Sequence, residues 1–297
     1  MLQRVQRPDS KRERNGFIIP QSYKGVQMAK YTVGFIGCGN MGGALARAIA
    51  GKIPAEKIAV SGRTSVRAEK LAAELGVIPA TPADVAANSE WIFLAIKPQV
   101  FPDVLPGIAE TLKKRNDRYI LVSMAAGLKT KTISEMLGME VPIIRIMPNT
   151  PVSVGKGMTL YAANEKVTKE EARDFCDVME HSGIIDPIEE KLIDAGCSVS
   201  GCGPAFVFMF LEAMIDAGVK CGLTREKAGI YAIQTLIGSA ELLKESGTDP
   251  KVLREAVCSP GGSTTEGVKE LEARKFYDAV LSAIEASYEK NIVLGNR

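Results

Sequence analysis

A glycine-rich turn near residue 40 is the clearest chemical signal in the sequence. Gly37, Gly39 and Gly42 have the spacing G-x-G-x-x-G, after an apolar run and before a helix-like stretch. In such a turn the first glycine allows a tight bend, the second lets a pyrophosphate approach the backbone, and the third lets the helix pack on the strand. The N–H groups at the helix start, including those of Asn40 and Met41, attract an anion. These five residues predict a dinucleotide-binding turn, with a ligand-free βα turn as the alternative.

The residues after the next apolar run indicate which nicotinamide cofactor binds. NAD sites usually place an aspartate or glutamate there, about 20 residues past the glycines, to bind the ribose 2′-hydroxyl. This sequence has no carboxylate at that place and has Ser61, Arg63 and Thr64 instead. A guanidinium beside two hydroxyls suits a 2′-phosphate, so we expect NADP(H) to be preferred, with NAD(H) as a secondary cofactor. The alternative is that Arg63 is an ordinary solvated loop cation.

Two further apolar runs end in residues that would line a cofactor. Ligands of such folds bind at the carboxyl ends of parallel strands, and both runs are expected to end there. The small side chains after the later run leave room for a flat ring. Lys97 could contact a phosphate or a carboxamide, or it could be a plain loop lysine. The candidate contacts are Ala95, Lys97, Pro98, Met124, Ala125 and Ala126.

A second polar turn stands far along the chain. Pro260 and the two glycines after it predict a turn, and Ser263 with Glu266 matches the capping box S-x-x-E at a helix start. A glycine-rich turn before a helix leaves amide hydrogens without partners, which makes an anion site. We expect the amides of Gly262, Ser263 and Thr264 to bind a small carboxylate, with the Thr264 hydroxyl available to a neighbouring atom. The alternative is a helix cap with no ligand.

Several kinds of site lack the residues that they need. The chain has one histidine, His181, and its six cysteines form no C-x-x-C pair, so no metal site is predicted. A Ser-His-Asp hydrolase would depend on His181 alone. That residue stands where a helix is expected to end, and a positive charge there is better explained by the helix dipole.

Composition and charge narrow the class of protein. The chain is 46% hydrophobic and 24% charged, as in ordinary globular proteins. Residues 1–27 hold six Lys or Arg against two acids, and the remainder holds 31 against 33, so we expect no nucleic-acid partner. The longest apolar run, seven residues at 205–211, is short of the roughly 20 residues of a membrane span. We therefore expect no membrane partner and a cytoplasmic location.

The elements that position these residues form two patterns, and the first is an alternation of short apolar runs with helix-like stretches. It predicts a doubly wound α/β domain of the Rossmann type, because strands covered on both faces are apolar throughout. The expected strands are 31–36, 57–60, 91–96, 119–124 and 142–147, with edge strands at 157–162 and 183–186 and helices at 41–50, 65–75, 101–112 and 168–180.

From about residue 189 long helical periods replace the strand-like runs. The helix expected at 204–221 is apolar on almost every side, which predicts burial in a subunit interface, with an internal core position as the alternative. We expect a tail without fixed structure at 1–27, a dinucleotide-binding domain at 28–188 and an all-α dimerisation and substrate domain at 189–297. A less favoured interpretation of residues 1–27 is an organelle-targeting segment. The expected helices are 189–200, 204–221, 224–246, 249–257, 263–273 and 275–293.

Six motifs, in the same order along the chain, resemble those of the pyrroline-5-carboxylate reductase family. The first is shared by many dehydrogenases, whereas the last three are much more specific. The resemblance runs from about residue 31 to residue 285. The motifs lie at 34–41, 95–98, 123–127, 147–151, 200–205 and 259–264.

The resemblance implies the reduction of 1-pyrroline-5-carboxylate, a small imino acid, to L-proline by NAD(P)H, the last step of proline synthesis. It also implies a homodimer, often assembled into a decamer. In that family the segment matching Val257 to Thr264, including Ser259, holds the substrate, and the threonine matching Thr264 hydrogen-bonds the ring nitrogen. Three positions depart from the family pattern by losing or weakening a hydroxyl: Cys202, Phe206 and Cys258.

Two other functions fit parts of the pattern. A 3-hydroxyacid dehydrogenase has the same two-domain plan and depends on a lysine early in the helical half, near the place of Lys191. The turn at 259–264 would then only cap a helix. An NADP-sensing or assembly module would bind the cofactor without turning over any imine. Incubation of NADPH with an imine or an oxo acid separates these functions.

Overall fold

The computed structural model describes residues 29–295, which form two compact units. One unit contains residues 29–206 and 281–295, and the other contains residues 207–280. The tail predicted at 1–27 lies outside the described residues. The domain boundary predicted after residue 188 stays a prediction.

An eight-stranded sheet forms the centre of the first unit. Its spatial order is β3-β2-β1-β4-β5-β6-β7-β8. The strands β1 to β6 run parallel, β7 is antiparallel to β6, and β8 is parallel to β7. The strand order reverses between β1 and β4, where doubly wound folds bind their ligands, and the predicted fold class is confirmed. The strands are Tyr31–Ile36 (β1), Ile58–Ser61 (β2), Ile78–Pro79 (β3), Ser89–Leu94 (β4), Ile120–Ser123 (β5), Ile143–Pro148 (β6), Gly157–Ala163 (β7) and Gly183–Pro187 (β8).

Helices cover the sheet and form most of the described chain after residue 189. Those predicted after residue 189 all form, with bounds close to the predicted ones. The helices are Asn40–Ala50 (α1), Ser65–Leu75 (α2), Pro82–Asn88 (α3), Phe101–Lys113 (α4), Thr130–Leu137 (α5), Lys169–Val178 (α6), Ile193–Ser200 (α7), Gly203–Lys220 (α8), Arg225–Ser246 (α9), Pro250–Ala256 (α10), Ser263–Ala273 (α11) and Phe276–Gly295 (α12).

The strands are apolar on both faces because helices pack on both sides of the sheet. Phe35 and Leu45 belong to a core cluster on one side, and Ile36 and Leu105 belong to a cluster on the other. Phe35 also stacks on Phe93 of the adjacent strand, with 4.7 Å between ring centroids. This packing fixes the spacing of β1 and β4, whose carboxyl ends lead into the candidate cofactor segments.

Three short elements of this unit have no clear pattern in the sequence. The strand β3 has two residues, and the helices α3 and α5 have seven and eight, which is too few for a periodic signal. The strand β4 also begins and ends two residues earlier than predicted. It ends at Leu94, although the N–H of the next residue, Ala95, still donates to the carbonyl oxygen of Ile36 at 2.8 Å.

The helices after residue 203 expose much apolar surface. The helix α8 has no buried residue in the single chain, and Phe208 and Met209 are 62% and 68% exposed. Within the stretch Glu190–Lys220, an 18-residue window has a mean hydropathy of 1.5 and is long and apolar enough to cross a membrane by length and composition alone. This stretch includes charged and small residues, and its longest uninterrupted apolar run is still the seven residues at 205–211. A turn at Gly201 and Cys202 separates the stretch into α7 and α8.

Candidate functional site

The glycine-rich turn joins β1 to α1 at the carboxyl edge of the sheet. Gly37 has a φ of 107°, a conformation that favours glycine, and its N–H donates to the carbonyl oxygen of Ser61 at 2.9 Å. A Cβ at Gly37 would stand 2.4 Å from the carbonyl oxygen of Ala95. The bend therefore needs a residue without a side chain.

Gly39 and Gly42 differ in what surrounds them. A Cβ at Gly42 would lie 2.4 Å from the carbonyl oxygen of Gly37 and 2.9 Å from the Cβ of Ala95, whereas a Cβ at Gly39 would meet no atom within 4 Å. Gly42 lets α1 pack on the sheet, and Gly39 leaves an open face beside the backbone. This is the steric arrangement expected of a phosphate-binding turn, and binding itself stays a prediction.

The first amides of α1 have no partner within residues 29–295. Gly39 is the N-cap residue and offers no side chain, and Gly43 is the first helical residue whose N–H donates backwards, to the carbonyl oxygen of Gly39 at 2.8 Å. The N–H groups of Asn40, Met41 and Gly42 remain, and no acidic side chain stands in the first turn. The positive end of the helix dipole therefore favours an anion here.

The strand β2 ends beside this turn and carries the residues predicted to bind a 2′-phosphate. Ser61 is buried, and its hydroxyl donates to the carbonyl oxygen of Phe35 at 3.0 Å. The hydroxyl of Ser61 therefore bonds within the sheet and does not face a phosphate, which corrects the predicted contact. Arg63 and Thr64 are exposed, as a phosphate contact requires.

Arg67 is a candidate phosphate contact that the sequence reasoning missed. It is exposed in the first turn of α2 and is close enough to act on Cys38 of the glycine turn. Burial raises the pKa of the Cys38 thiol, and the Arg67 charge opposes that rise. A Cβ at Gly62 would contact the Sγ of Cys38 at 3.0 Å, so the start of α2 adjoins the turn. An arginine in the first turn of a helix that begins at a strand end is the signal that could have found it.

The segment after β4 lies at the same edge. Ala95 packs against the glycine turn, as the distances to Gly37 and Gly42 show. Lys97 is exposed, and Pro98 opens a short 3₁₀ turn. Lys97 therefore has the freedom to reach a cofactor phosphate or carboxamide.

The segment after β5 is more closed. Ala125 is buried, and its N–H donates to the Oγ of Ser123 at 3.3 Å. Met124 and Ala126 are half-buried. The side chain of Ala125 belongs to the core. Met124 and Ala126 therefore stay the predicted cofactor contacts of this segment.

The second polar turn joins α10 to α11 in the unit 207–280. Gly262 is the N-cap residue of α11, and Ser263 is already helical. The predicted capping box is therefore wrong, and the carboxylate of Glu266 instead forms an ion pair along the helix at 2.8 Å. Thr265 stabilises the turn, because its hydroxyl donates to the carbonyl oxygen of Ser259 at 2.7 Å.

The available donors of this turn begin one residue later than predicted. The Gly262 N–H donates to the carbonyl oxygen of Ser259 at 2.9 Å, which removes it from the predicted carboxylate donors. In the part of the chain that the structure describes, no acceptor pairs with the amides of Ser263, Thr264 or Thr265. Three consecutive amides at the start of an 11-residue helix can hold a carboxylate, and the exposed Thr264 adds a hydroxyl.

The other residues indicated by the resemblance flank these elements. Val257 is the C-cap residue after α10 and is exposed, and Cys258 is half-buried. Cys202 is half-buried in the turn before α8, and Phe206 is half-buried within α8. At these three departures from the family pattern, a thiol or a phenyl ring offers at most a weak donor.

The two sets of unpartnered amides belong to different units.

Lys191, the residue on which the alternative 3-hydroxyacid dehydrogenase function depends, is exposed. It pairs with Glu189 at 2.6 Å, so it forms a surface ion pair. Among the residues described, no three His, Cys, Asp or Glu come together as a metal site would need.

Comparison with known proteins decides the family. The family model for pyrroline-5-carboxylate reductase dimerisation matches residues 190–294, and that for coenzyme F420-dependent NADP oxidoreductases matches residues 32–127. The pyrroline-5-carboxylate reductase of Escherichia coli is 40% identical over 266 residues, covering 87% of this chain and 96% of that protein. The chain belongs to the pyrroline-5-carboxylate reductase family.

Solved structures agree with this assignment. The crystal structure of Plasmodium falciparum pyrroline carboxylate reductase with NADP bound has a TM-score of 0.81 and 35% identity, and the match covers 91% of this chain and 100% of that one. The resemblance carried by the six motifs is confirmed. The dimerisation match supports a homodimer, and we expect its interface to cover the apolar surface that α8 exposes in the single chain.

Proposed function

We propose that this chain uses its two sets of unpartnered amides as two anion sites, one for the cofactor pyrophosphate and one for the substrate carboxylate. The reaction that follows from family membership is the NAD(P)H-dependent reduction of 1-pyrroline-5-carboxylate to L-proline, the last step of proline biosynthesis. One observation carries the proposal: α1 and α11 both begin after a glycine that makes no side-chain cap.

NADP(H) is the cofactor of this proposal. The amides at the start of α1 bind the pyrophosphate, and the open face at Gly39 lets it approach the backbone. Arg63, Thr64 and Arg67 bind the 2′-phosphate, where a guanidinium makes strong charge-assisted hydrogen bonds. NAD(H) lacks that phosphate and binds more weakly. When bound, the reduced cofactor supplies the hydride.

The nicotinamide ring rests on Met124 and Ala126, beyond the end of β5. The small side chains there leave room for the ring. Lys97 lies at the same edge of the sheet, where it contacts the carboxamide or a phosphate. These residues orient the ring and exclude water from one of its faces.

The substrate side of the site needs no strong protein acid. A cyclic imine accepts a hydride readily when its nitrogen is protonated, and it can bind as the iminium. As the hydride adds to the ring carbon, the C=N π pair moves onto the nitrogen, which keeps its proton in the product amine. The amides of Ser263, Thr264 and Thr265 hold the carboxylate, and the Thr264 hydroxyl hydrogen-bonds the nitrogen.

The assembly beyond the homodimer is also part of the proposal. We place the dimers in a decamer, with a small imino acid as substrate, no nucleic-acid or membrane partner and a cytoplasmic location. Light scattering of the purified protein tests the decamer, since a particle of ten 31.9 kDa chains is readily distinguished from a dimer.

One assay tests the function. NADPH oxidation is followed at varied pyrroline-5-carboxylate, with NADH in parallel and an oxo acid as an alternative substrate. We expect turnover with the imine, no turnover with the oxo acid, and a kcat/KM for NADPH about tenfold or more above that for NADH, as the loss of a charge-assisted phosphate contact predicts. Turnover of the oxo acid alone, or cofactor binding without any turnover, contradicts the proposal.

A further inference from the structure

A buried ion network lies beside the segment on which the nicotinamide ring is proposed to rest. Arg145 of β6 is only 1% exposed. Its Nη2 donates to the Oδ1 of Asp194 at 3.0 Å, and its Nη1 lies 3.9 Å from the Oε1 of Glu190. Its Nε and Nη1 have no hydrogen-bond partner in the described chain. Burying a charged side chain costs free energy, and a buried ion pair does not by itself stabilise a fold. The role of this ion network is therefore better explained by the chain segments that it holds in place.

The network contacts the chain at both ends of the segment that follows β5. Ser123, the last residue of β5, is the register partner of Arg145 in the sheet, and its Oγ accepts from the N–H of Ala125 at 3.3 Å. At the other end, Glu190 accepts from the N–H of Thr130 at 2.7 Å and from its hydroxyl at 3.1 Å. Thr130 is the first residue of α5, whose own N-cap residue makes no side-chain cap. Glu190 therefore caps α5 from a distant part of the sequence.

The same network reaches the last helix. The backbone carbonyl of Asp194 accepts from the Nδ2 of Asn291 in α12 at 3.2 Å. Gly127 has a φ of 79°, and a Cβ there would lie 2.7 Å from the carbonyl oxygen of Leu294. The end of α12 thus contacts the middle of the segment, which is held at three places.

We infer that Arg145, Glu190 and Asp194 are positioning residues that set the place of the nicotinamide ring by fixing residues 124–127. They act through Thr130 and the end of α12 and are not assigned any contact with the cofactor. This inference rests on the proposed function, since it requires the ring to lie at Met124 and Ala126.

The substitution Glu190→Gln tests the inference with little change in size. The amide has no charge to face Arg145 and only one oxygen to accept from Thr130. We expect kcat to fall at least about fivefold, because a misplacement of about 1 Å can cost up to roughly 100-fold in rate. We also expect a larger primary isotope effect with NADPH deuterated at the transferred position. The affinity for adenosine 2′,5′-bisphosphate, which lacks the ring, stays within about twofold.

Glu189→Gln is the matched control, because the neighbouring carboxylate pairs only with the exposed Lys191 among the contacts described. It leaves kcat, the isotope effect and fragment affinity unchanged. If Glu190→Gln does not fold, Thr130→Val removes only the 3.1 Å hydroxyl bond and gives the same pattern with a smaller fall in kcat.

Three outcomes separate the possibilities. An unchanged kcat and isotope effect in Glu190→Gln overturns the positioning role. An equal loss of affinity for the ring-free fragment also overturns it, because the effect is then a general distortion. A wild-type protein that turns over no imine contradicts the proposed function instead, and the fluorescence of bound NADPH then still reports whether Glu190→Gln moves the ring.

Discussion

Thr264 combines the features expected of a group that contacts the reacting atoms. It is exposed at the start of α11, beside amides that lack partners in the described chain. If those amides hold the substrate carboxylate, as proposed, we expect the ring nitrogen to lie within reach of the hydroxyl. The side chain can then donate to or accept from that nitrogen, which a purely apolar residue cannot do.

Replacement of Thr264 by valine keeps the shape of the side chain and removes the hydroxyl. We expect kcat/KM for the imine to fall at least about tenfold, since loss of one well-placed hydrogen bond at the reacting group can raise the barrier by about 2–4 kcal/mol. The Kd for NADPH, measured by fluorescence titration, should not change. Thr264→Ser is the control and retains most of the activity. A valine variant with wild-type turnover removes Thr264 from the mechanism.

Arg67 provides the sharpest residue-level test of cofactor choice. Removal of its guanidinium in Arg67→Ala should raise the KM for NADPH about tenfold, as loss of a charge-assisted hydrogen bond predicts, and leave the KM for NADH unchanged. Arg173→Ala, an exposed arginine in α6, is the control. Equal changes with both cofactors would show that Arg67 does not bind the 2′-phosphate.

Residue types predicted the candidate site better than they predicted individual hydrogen bonds. The spacing of Gly37, Gly39 and Gly42 is enough to expect a tight bend, an open face and a close packing contact. The sequence could not predict that the Ser61 hydroxyl bonds to the backbone of Phe35, because this bond depends on the pairing of β2 with β1. The N-cap at Gly262 was likewise hidden, because Ser263 matches a capping box in sequence but lies inside the helix.

At the scale of elements, two glycines of the turn between β1 and α1 have different roles, one in helix packing and the other in cofactor binding. Gly39→Ala adds a methyl group into open space, whereas Gly42→Ala drives one to 2.4 Å from a carbonyl oxygen. We expect Gly39→Ala to keep the wild-type Tm and to bind NADPH at least about tenfold more weakly, because the methyl meets the ligand. Gly42→Ala should lose about 1–3 kcal/mol of stability through overpacking. Calorimetry and titration measure the two effects, and equal Tm losses in both variants would contradict these roles.

A part-buried pair joins the elements before β5. The Arg115 guanidinium donates to both carboxylate oxygens of Asp117, at 2.8 and 2.6 Å, and to the carbonyl oxygens of Ala86 and Ser89, at 2.8 and 2.7 Å. The hydrogen bond from Arg115 holds the pKa of Asp117 below its ordinary value, against an opposing effect of burial.

This lowered pKa has a definite consequence for stability. A carboxyl whose pKa is lower in the folded state stabilises the fold above its unfolded pKa of about 3.9, and the stabilisation is lost as the pH falls through the folded value. We expect Asp117→Asn to lower Tm at neutral pH and the difference from wild type to disappear in acid. Melting curves across this pH range check it, and a difference independent of pH contradicts it.

Long periodic elements were predictable from the sequence and short ones were not. The strand at β1 and the helices from α8 onward follow their apolar patterns within a few residues. The helices α3 and α5 have seven and eight residues, and α5 depends on Glu190, which is 60 residues away in sequence, for its cap. A contact of that range leaves no local signal.

At the scale of the whole molecule, we expect a second chain to bury the apolar surface of α8. The family match to a dimerisation domain identifies that chain as another copy. Phe208→Glu places a charge on a side chain that is 62% exposed in the single chain and that we expect the dimer to bury. We expect monomers in light scattering and little activity, because burial of an unpaired charge is strongly unfavourable. Lys113→Glu, on an exposed position of α4, is the control, and an unchanged dimer in Phe208→Glu would place the interface elsewhere.

The central claim is that the amides of α1 and those of α11 bind the two ends of one cofactor–substrate pair. A crystal structure of the protein with NADP⁺ and L-proline tests it most directly. We expect the pyrophosphate on the amides of residues 40–42, the proline carboxylate on those of residues 263–265, and a ring carbon about 3–4 Å from the nicotinamide carbon that carries the hydride. A proline carboxylate bound away from the start of α11, or a pyrophosphate away from the glycine turn, contradicts the claim.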